Sequence, residues 1–185
     1  MEKNIEEQSG SRFKIVVFGP ESTGKTTLAK QLAAHYKATY VPEYARIYAE
    51  EKQQKGETLT SEDVIPIAKG QLRLECRSEK ISLLICDTDI LETLTYARIY
   101  YPDFKSKTLE KYVEKSTANF YFLTYIDTPW KADGIRDLPH KREVAFLEFQ
   151  QTLETYNQPY LLLKGDMETR FQTAIATIEK LLRIH

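Results

Sequence analysis

Only two cysteines occur in the 185 residues of this chain, Cys76 and Cys86. Together with the three scattered histidines His35, His140 and His185, they offer no spacing that would assemble a tetrahedral metal site, and both thiols are expected to be reduced and buried. A surplus of one charge sign is lacking too. With 26 Lys and Arg against 27 Asp and Glu, the formal net charge is −1, so nothing in the total holds a nucleic-acid backbone or an anionic membrane, and small partners are expected. The opening stretch, Met1 to Ser11, has no apolar run. It reads as neither secretory signal nor membrane anchor but as a disordered tail ahead of a domain spanning 12–185, and a cytoplasmic location is expected. There is no internal repeat, low-complexity block or dividing linker, which leaves one domain and keeps the oligomeric state open.

What is present is a globular composition, 42% hydrophobic and 29% charged, enough for one core. Phe13 to Phe18 is a β-branched and aromatic run ending at Gly19, and a helix-forming segment, Thr26 to Tyr36, follows the loop directly. Ala38 to Val41 is a second extended piece, stopped by Pro42, and Glu43 to Glu51 is expected as a helix. Lys52 to Leu59 reads as a polar loop. Thr60 then caps a long helix reaching about Glu79, with Asp63 in its first turn. Ile81 to Cys86 is a continuous apolar run closed by Asp87, the pattern of a strand covered on both faces. Helices are expected at Leu91 to Tyr101, Lys105 to Ser116, Lys141 to Tyr156 and Glu168 to Ile184, and strands at Phe120 to Ile126 and Tyr160 to Leu163. Such alternation implies a five-stranded parallel sheet with helices on both faces.

Gly19-Pro-Glu21-Ser22-Thr23-Gly24-Lys25-Thr26 matches G-x-x-x-x-G-K-[ST] and lies between an apolar strand and a helix, the context its mechanism needs. Backbone N–H groups of such a loop form an anion cradle, and the positive end of the helix dipole adds to it. The segment from Gly19 to Thr27 is therefore expected to hold the triphosphate of ATP or a similar nucleotide. Lys25 should reach the β and γ oxygens, and the Thr26 hydroxyl should coordinate Mg²⁺.

Asp87 ends the strand placed beside the first one, at the sheet edge where ligands bind, and is a candidate for holding Mg²⁺. Asp89 follows two residues later and is either a second cleft carboxylate, one of the pair facing the metal and the other an acceptor hydroxyl with the order open, or the cap of the next helix. Glu43 sits at the same edge, with Tyr44, Arg46 and Tyr48 after it. These form either a ribose or ring site or a tyrosine pair packed on the core with a surface arginine. Tyr96 and Tyr100 are read as core. Asp127 to His140, continued to Arg142, combines Trp130 with Lys131, Arg136 and Arg142 and resembles a mobile lid that brings cations over the migrating phosphoryl group. Trp130 either stacks on a flat heterocycle or anchors the loop.

The stretches GPESTGKTTLA (19–29), EYARIY (43–48), DTDILETLTY (87–96) and DTPWKADGIR (127–136) together resemble the ribosylnicotinamide kinase domain of NadR-type proteins. The resemblance implies a three-layer P-loop kinase fold with a mobile lid, and transfer of the ATP γ-phosphoryl to the 5′-hydroxyl of nicotinamide riboside, giving nicotinamide mononucleotide for NAD salvage. By that resemblance Lys25 and Thr26 serve ATP and Mg²⁺, Arg136 and Arg142 are lid cations, and the segments around Glu43, Asp87 and Trp130 form the riboside pocket. Full-length members also carry an adenylyltransferase domain with an HxGH-type motif and sometimes a helix-turn-helix. No histidine here stands in such a motif, so neither activity is expected. The alternatives are a kinase for another nucleoside or small metabolite, and a regulatory ATPase. The absence of an N-K-x-D segment argues against a GTPase switch.

Overall fold

A computed structural model describes residues 13–76, 83–116, 118–129 and 142–184. The expected tail, Met1 to Ser11, and most of the expected lid lie outside the described residues.

Strand β1 (Phe13–Phe18) leads through the glycine-containing loop into α1 (Lys25–Tyr36), followed by β2 (Thr39–Val41), α2 (Tyr44–Gln54) and α3 (Val64–Cys76). Then come β3 (Leu83–Asp87), α4 (Ile90–Tyr100), α5 (Lys107–Lys115), β4 (Phe120–Thr124), α6 (Arg142–Thr155), β5 (Tyr160–Leu163) and α7 (Met167–Ile184). The five strands are all parallel in the order β2-β3-β1-β4-β5, as the alternation of apolar runs and helices implies. Pleating sends alternate side chains of β1 to opposite faces. Ile15 and Val17 pack with Leu28 and Leu32 of α1 and with Ala174 and Ile178 of α7. Val16 and Phe18 face Leu91 and Leu94 of α4, Leu109 of α5 and Phe149 of α6. Every residue of β1 and β3 is buried, which is why both are apolar on both faces apart from Lys14 and the terminal Asp87.

β1 connects to β2 through α1 on one face, whereas the neighbouring β3 connects to β4 through α4 and α5 on the other. Adjacent strands whose connections diverge leave a crevice beyond their C-terminal ends. The phosphate loop follows β1 into that crevice, and Asp87 ends β3 beside it, with Val17 in register with Asp87.

Among the described residues two boundaries differ from expectation by three residues, the others by two at most. The segment read as a loop from Lys52 begins with the last turn of α2, which continues to Gln54. Thr60 forms a reciprocal capping box with Asp63, but around a short 3-10 turn (Ser61–Asp63) ahead of α3. Asp63 also receives Tyr48 Oη at 2.9 Å and Lys52 Nζ at 2.7 Å, so α2 has a reason to persist beyond Glu51. Cys86 is buried as expected. Cys76, at the end of α3, is exposed instead, and neither cysteine is in a disulfide.

α2 lies close on α3 because Gly70 makes room for it. A Cβ at position 70 would fall 1.9 Å from Tyr44 Cε1 and 2.1 Å from Cδ1. Gly70→Ala should therefore destabilise the protein by about 1–2 kcal/mol, the overpacking cost of about 1–3 kcal/mol exceeding the helix-propensity gain of about 1 kcal/mol. Thermal unfolding would check the sign, and a stabilised variant would mean that the Tyr44 ring moves aside freely.

Candidate functional site

The phosphate loop is fixed from three sides. Gly19 has φ 142°, and a Cβ there would stand 2.4 Å from Thr124 Oγ1 and 3.0 Å from the Thr124 carbonyl, so the chain leaves β1 pressed against the end of β4 and only glycine fits. The Thr124 hydroxyl bonds the Phe18 carbonyl at 3.1 Å and touches the Thr23 hydroxyl at 2.7 Å. At the other end Gly24 is left-handed, with φ 83°, and α1 starts at Lys25 without a side-chain cap, so its first N–H groups point into the loop. Across the loop, Thr128 donates to the Ser22 carbonyl at 2.8 Å. The third support comes from α7. Arg170 is fully buried, and its guanidinium donates to the Thr23 carbonyl at 2.6 Å, the Tyr125 carbonyl at 2.9 Å and the Asp127 carboxylate. Asp127 in turn accepts the Gly165 N–H at 2.6 Å.

Lys25 Nζ donates to the Pro20 carbonyl at 2.9 Å and lies 3.8 Å from Glu92 Oε1. The cation is thus stored within its own loop and against α4. Asp87 is buried beside Thr26, and Tyr40 donates to its Oδ2 at 3.2 Å, while its buried Oδ1 has no hydrogen-bond partner. Burial pushes this carboxyl above its ordinary value, with the Glu43 charge adding to the rise and Lys25, Thr26 and Tyr40 opposing it.

Asp89 takes the capping alternative. Its Oδ1 accepts the Leu91 N–H at 3.0 Å at the start of α4, and its Oδ2 accepts Tyr121 Oη at 2.7 Å and Lys14 Nζ at 3.2 Å. Lys14 also holds Glu75 at 2.7 Å and Ser116 at 3.2 Å. Burial works against the Lys14 ammonium, but Glu75 and Asp89 more than offset it, so the charge persists. A carboxylate already serving three donors in a fixed geometry braces the floor of the site. Of the two alternatives read from the sequence, the helix cap is the one these bonds favour, at a position that also lines the cavity beside the loop.

Beside the loop, between α2, α3 and α4, is a cavity of about 330 Å³. Glu43, Gln71, Thr88, Asp89, Glu92 and Tyr96 form its polar wall, and Glu57, Tyr100 and Tyr101 its far side. Among the described residues no lysine or arginine lines it. Of the acceptor residues expected from the sequence, Glu43 is in this wall. Tyr44 is not, since its ring packs over Gly70 and 6.2 Å from Tyr48, the core alternative. Arg46 is about 40% exposed and 3.8 Å from Glu43, a partner at the rim. Tyr96, read as core, is buried in the core and also lines the cavity, whereas Tyr100, read the same way, is exposed and lines the cavity, with the two rings stacked at 5.8 Å. The i, i+4 spacing of Glu92, Tyr96 and Tyr100 was the available signal, because it puts all three on one face of α4. Nothing in the sequence singled out Tyr40 or Arg170. Trp130, Lys131 and Arg136 lie outside the described residues. Arg142 opens α6 and donates to the Thr128 carbonyl at 3.0 Å, one hydrogen bond from Ser22 of the loop. Thr27 is exposed beside the helix start.

Fold and loop together define a P-loop α/β protein, the class whose phosphate loop takes a nucleotide. A family model described as an AAA domain matches residues 14–170, and the chain belongs to that family. It is 26% identical over 176 residues to the trifunctional NAD biosynthesis/regulator protein NadR of Escherichia coli strain K12, with 91% of this chain and 42% of that protein covered. A crystal structure of NadR protein in complex with NR superposes with a TM-score of 0.80 at 23% identity, covering 92% of this chain and 51% of that one. Deoxyadenosine kinase from M. mycoides with bound dATP superposes with a TM-score of 0.65 at 12% identity, covering 91% of this chain and all of that one. The chain thus spans under half the length of the curated relative. No helix of the described residues is long and apolar enough to cross a membrane.

Proposed function

We propose that this protein transfers the γ-phosphoryl group of ATP to the 5′-hydroxyl of nicotinamide riboside, giving nicotinamide mononucleotide. The observation that carries this reading is the cavity beside the phosphate loop, closed in by Glu43, Asp89 and Glu92 and without a lining cation among the described residues. At about 330 Å³ it is of a size that takes a nucleoside. Its carboxylates suit the hydroxyls of a ribose and the positive ring of a nicotinamide riboside, while a second phosphate on the acceptor would meet like charge. The NadR relatives and the structure holding NR support the same choice.

In this reading Lys25 leaves the Pro20 carbonyl and Glu92 for the β and γ oxygens, and the loop N–H groups from Glu21 to Thr26 cradle the phosphates. Thr26 and Asp87 would hold Mg²⁺, because a buried carboxylate oxygen without a partner next to a hydroxyl is a fitting pair of hard donors. The ion would supply neutralisation of the charge that develops on the phosphate oxygens. Among the described residues no group of three or more His, Cys, Asp or Glu side chains is placed to hold a metal, which suits a cation that arrives with its nucleotide. Glu43 follows β2 between Asp87, whose carboxyl feels its charge, and the cavity it lines. We assign it the proton of the acceptor hydroxyl. Arg142, and Arg136 and Trp130 from the segment between β4 and α6, are proposed to close over the transferred group and the ring. ATP as donor and two cysteines outside any disulfide suit a cytoplasmic enzyme.

The test is ADP release from MgATP with nicotinamide riboside, uncharged nucleosides and a nucleoside monophosphate as acceptors. Release should depend on nicotinamide riboside and be weakest with the monophosphate. Stimulation by the monophosphate would sink the charge argument, and release that no acceptor changes would favour a regulatory ATPase.

A further inference from the structure

One face of α4 touches both halves of this site. Asp89, Glu92, Tyr96 and Tyr100 line the acceptor cavity, and two of them also reach the phosphate loop. Glu92 lies 3.8 Å from Lys25 Nζ. One turn on, Tyr96 Oη donates to Glu21 Oε2 at 3.1 Å, and both groups are buried, at 6% exposure each. The Tyr96 ring is held on its other sides by Tyr100 at 5.8 Å and by Phe149 of α6 at 5.1 Å, so a shift of the ring is transmitted to the phenol oxygen with little slack.

We infer that Tyr96 is a positioning residue that couples the acceptor cavity to the phosphate loop through Glu21, so that a filled cavity aligns the loop for the nucleotide. Tyr96 lines the cavity and gives its hydroxyl to a loop residue that does not itself line the cavity. An acceptor packed against the Tyr96 and Tyr100 faces restricts the ring, and the restricted phenol fixes the Glu21 carboxylate. The next residue, Ser22, is held in a left-handed conformation with φ 57° and tied to Thr128, so fixing Glu21 fixes the direction of the neighbouring N–H groups that cradle phosphate. Linkage makes the effect reciprocal, with nucleotide tightening acceptor by the same factor. The inference rests on the kinase reading of this site.

Calorimetry of a non-hydrolysable ATP analogue with Mg²⁺, with and without saturating nicotinamide riboside, tests it on the wild type, Tyr96→Phe, Glu21→Met and Glu21→Gln. In the wild type the riboside should tighten the analogue about five- to tenfold, within the usual range of coupling between sites. Tyr96→Phe and Glu21→Met should each bring that factor below about two. The double variant should lose no more than either alone, because both remove one bond. Glu21→Gln keeps an acceptor oxygen and should retain most of the factor, and its contrast with the similarly sized Glu21→Met is what a packing role alone would not predict. A factor that survives in Tyr96→Phe, or a wild type that binds both ligands with no factor, overturns the inference while the kinase reading stands. A wild type that neither binds nor phosphorylates the riboside overturns the kinase reading, and the inference with it.

Discussion

Lys25→Ala should lower kcat about 10²- to 10³-fold, equivalent to about 3–4 kcal/mol of lost transition-state stabilisation, the usual consequence of removing one preorganised charge contact from a transferring group. The structure adds a reason to expect kcat to fall more than ATP affinity. Lys25 is held against the Pro20 carbonyl and 3.8 Å from Glu92. Part of its attraction for the γ-phosphate is therefore offset by contacts it must surrender on binding, and the surplus is realised as charge develops. Truncation also leaves Glu92 without this cation in a buried position, which adds a cost to the fold. Steady-state kinetics with a parallel melting curve separates the two effects. A variant with wild-type turnover removes Lys25 from the mechanism, whereas loss of activity together with loss of the melting transition would mean that the Glu92 contact is structural first.

The sheet was legible because its central strands are buried on both faces. Phe13 to Phe18 and the run ending at Asp87 carry no polar interruption apart from Lys14 and Ser82, and they pair directly. The phosphate loop was equally legible, since its glycines answer to local geometry: Gly19 to the nearby Thr124, Gly24 to the left-handed turn into α1. The acceptor side was harder to read because one residue type serves two environments there. Asp89 could cap a helix or face a ligand, and it became a cap because Tyr121 and Lys14 arrive from other strands, a convergence that spacing along the chain does not contain. The environments of Tyr96 and Tyr44 stayed open for the same reason. Both sit at helical spacing from a second tyrosine, yet one lines a cavity and the other fills the gap above Gly70. Which occurs depends on whether the facing helix carries glycine.

Arg170→Met should be the most destabilising substitution considered, at about 3 kcal/mol, because it strips the buried Thr23 and Tyr125 carbonyls and the Asp127 carboxylate of one shared donor. The lower part of the range for a broken buried pair applies, since the Asp127 side chain keeps 29% exposure and can recover water. For a chain of this length that corresponds to a melting temperature lower by about 6–12 °C. Arg170→Lys retains the charge but cannot span three acceptors with a planar fork, and should recover less than half of the loss. The effect should also be felt at the loop. Thr23 is held by Arg170 through its carbonyl and by Thr124 through its hydroxyl, so in Arg170→Lys, examined well below its melting temperature, nucleotide affinity should fall several-fold while α7 stays folded. Equal melting temperatures for Arg170→Met and wild type would mean that water replaces the guanidinium at all three acceptors. A large melting shift with unchanged nucleotide affinity in Arg170→Lys would make Arg170 a tie between α7 and the end of β4 that leaves the phosphate loop to Gly19, Gly24 and Thr124.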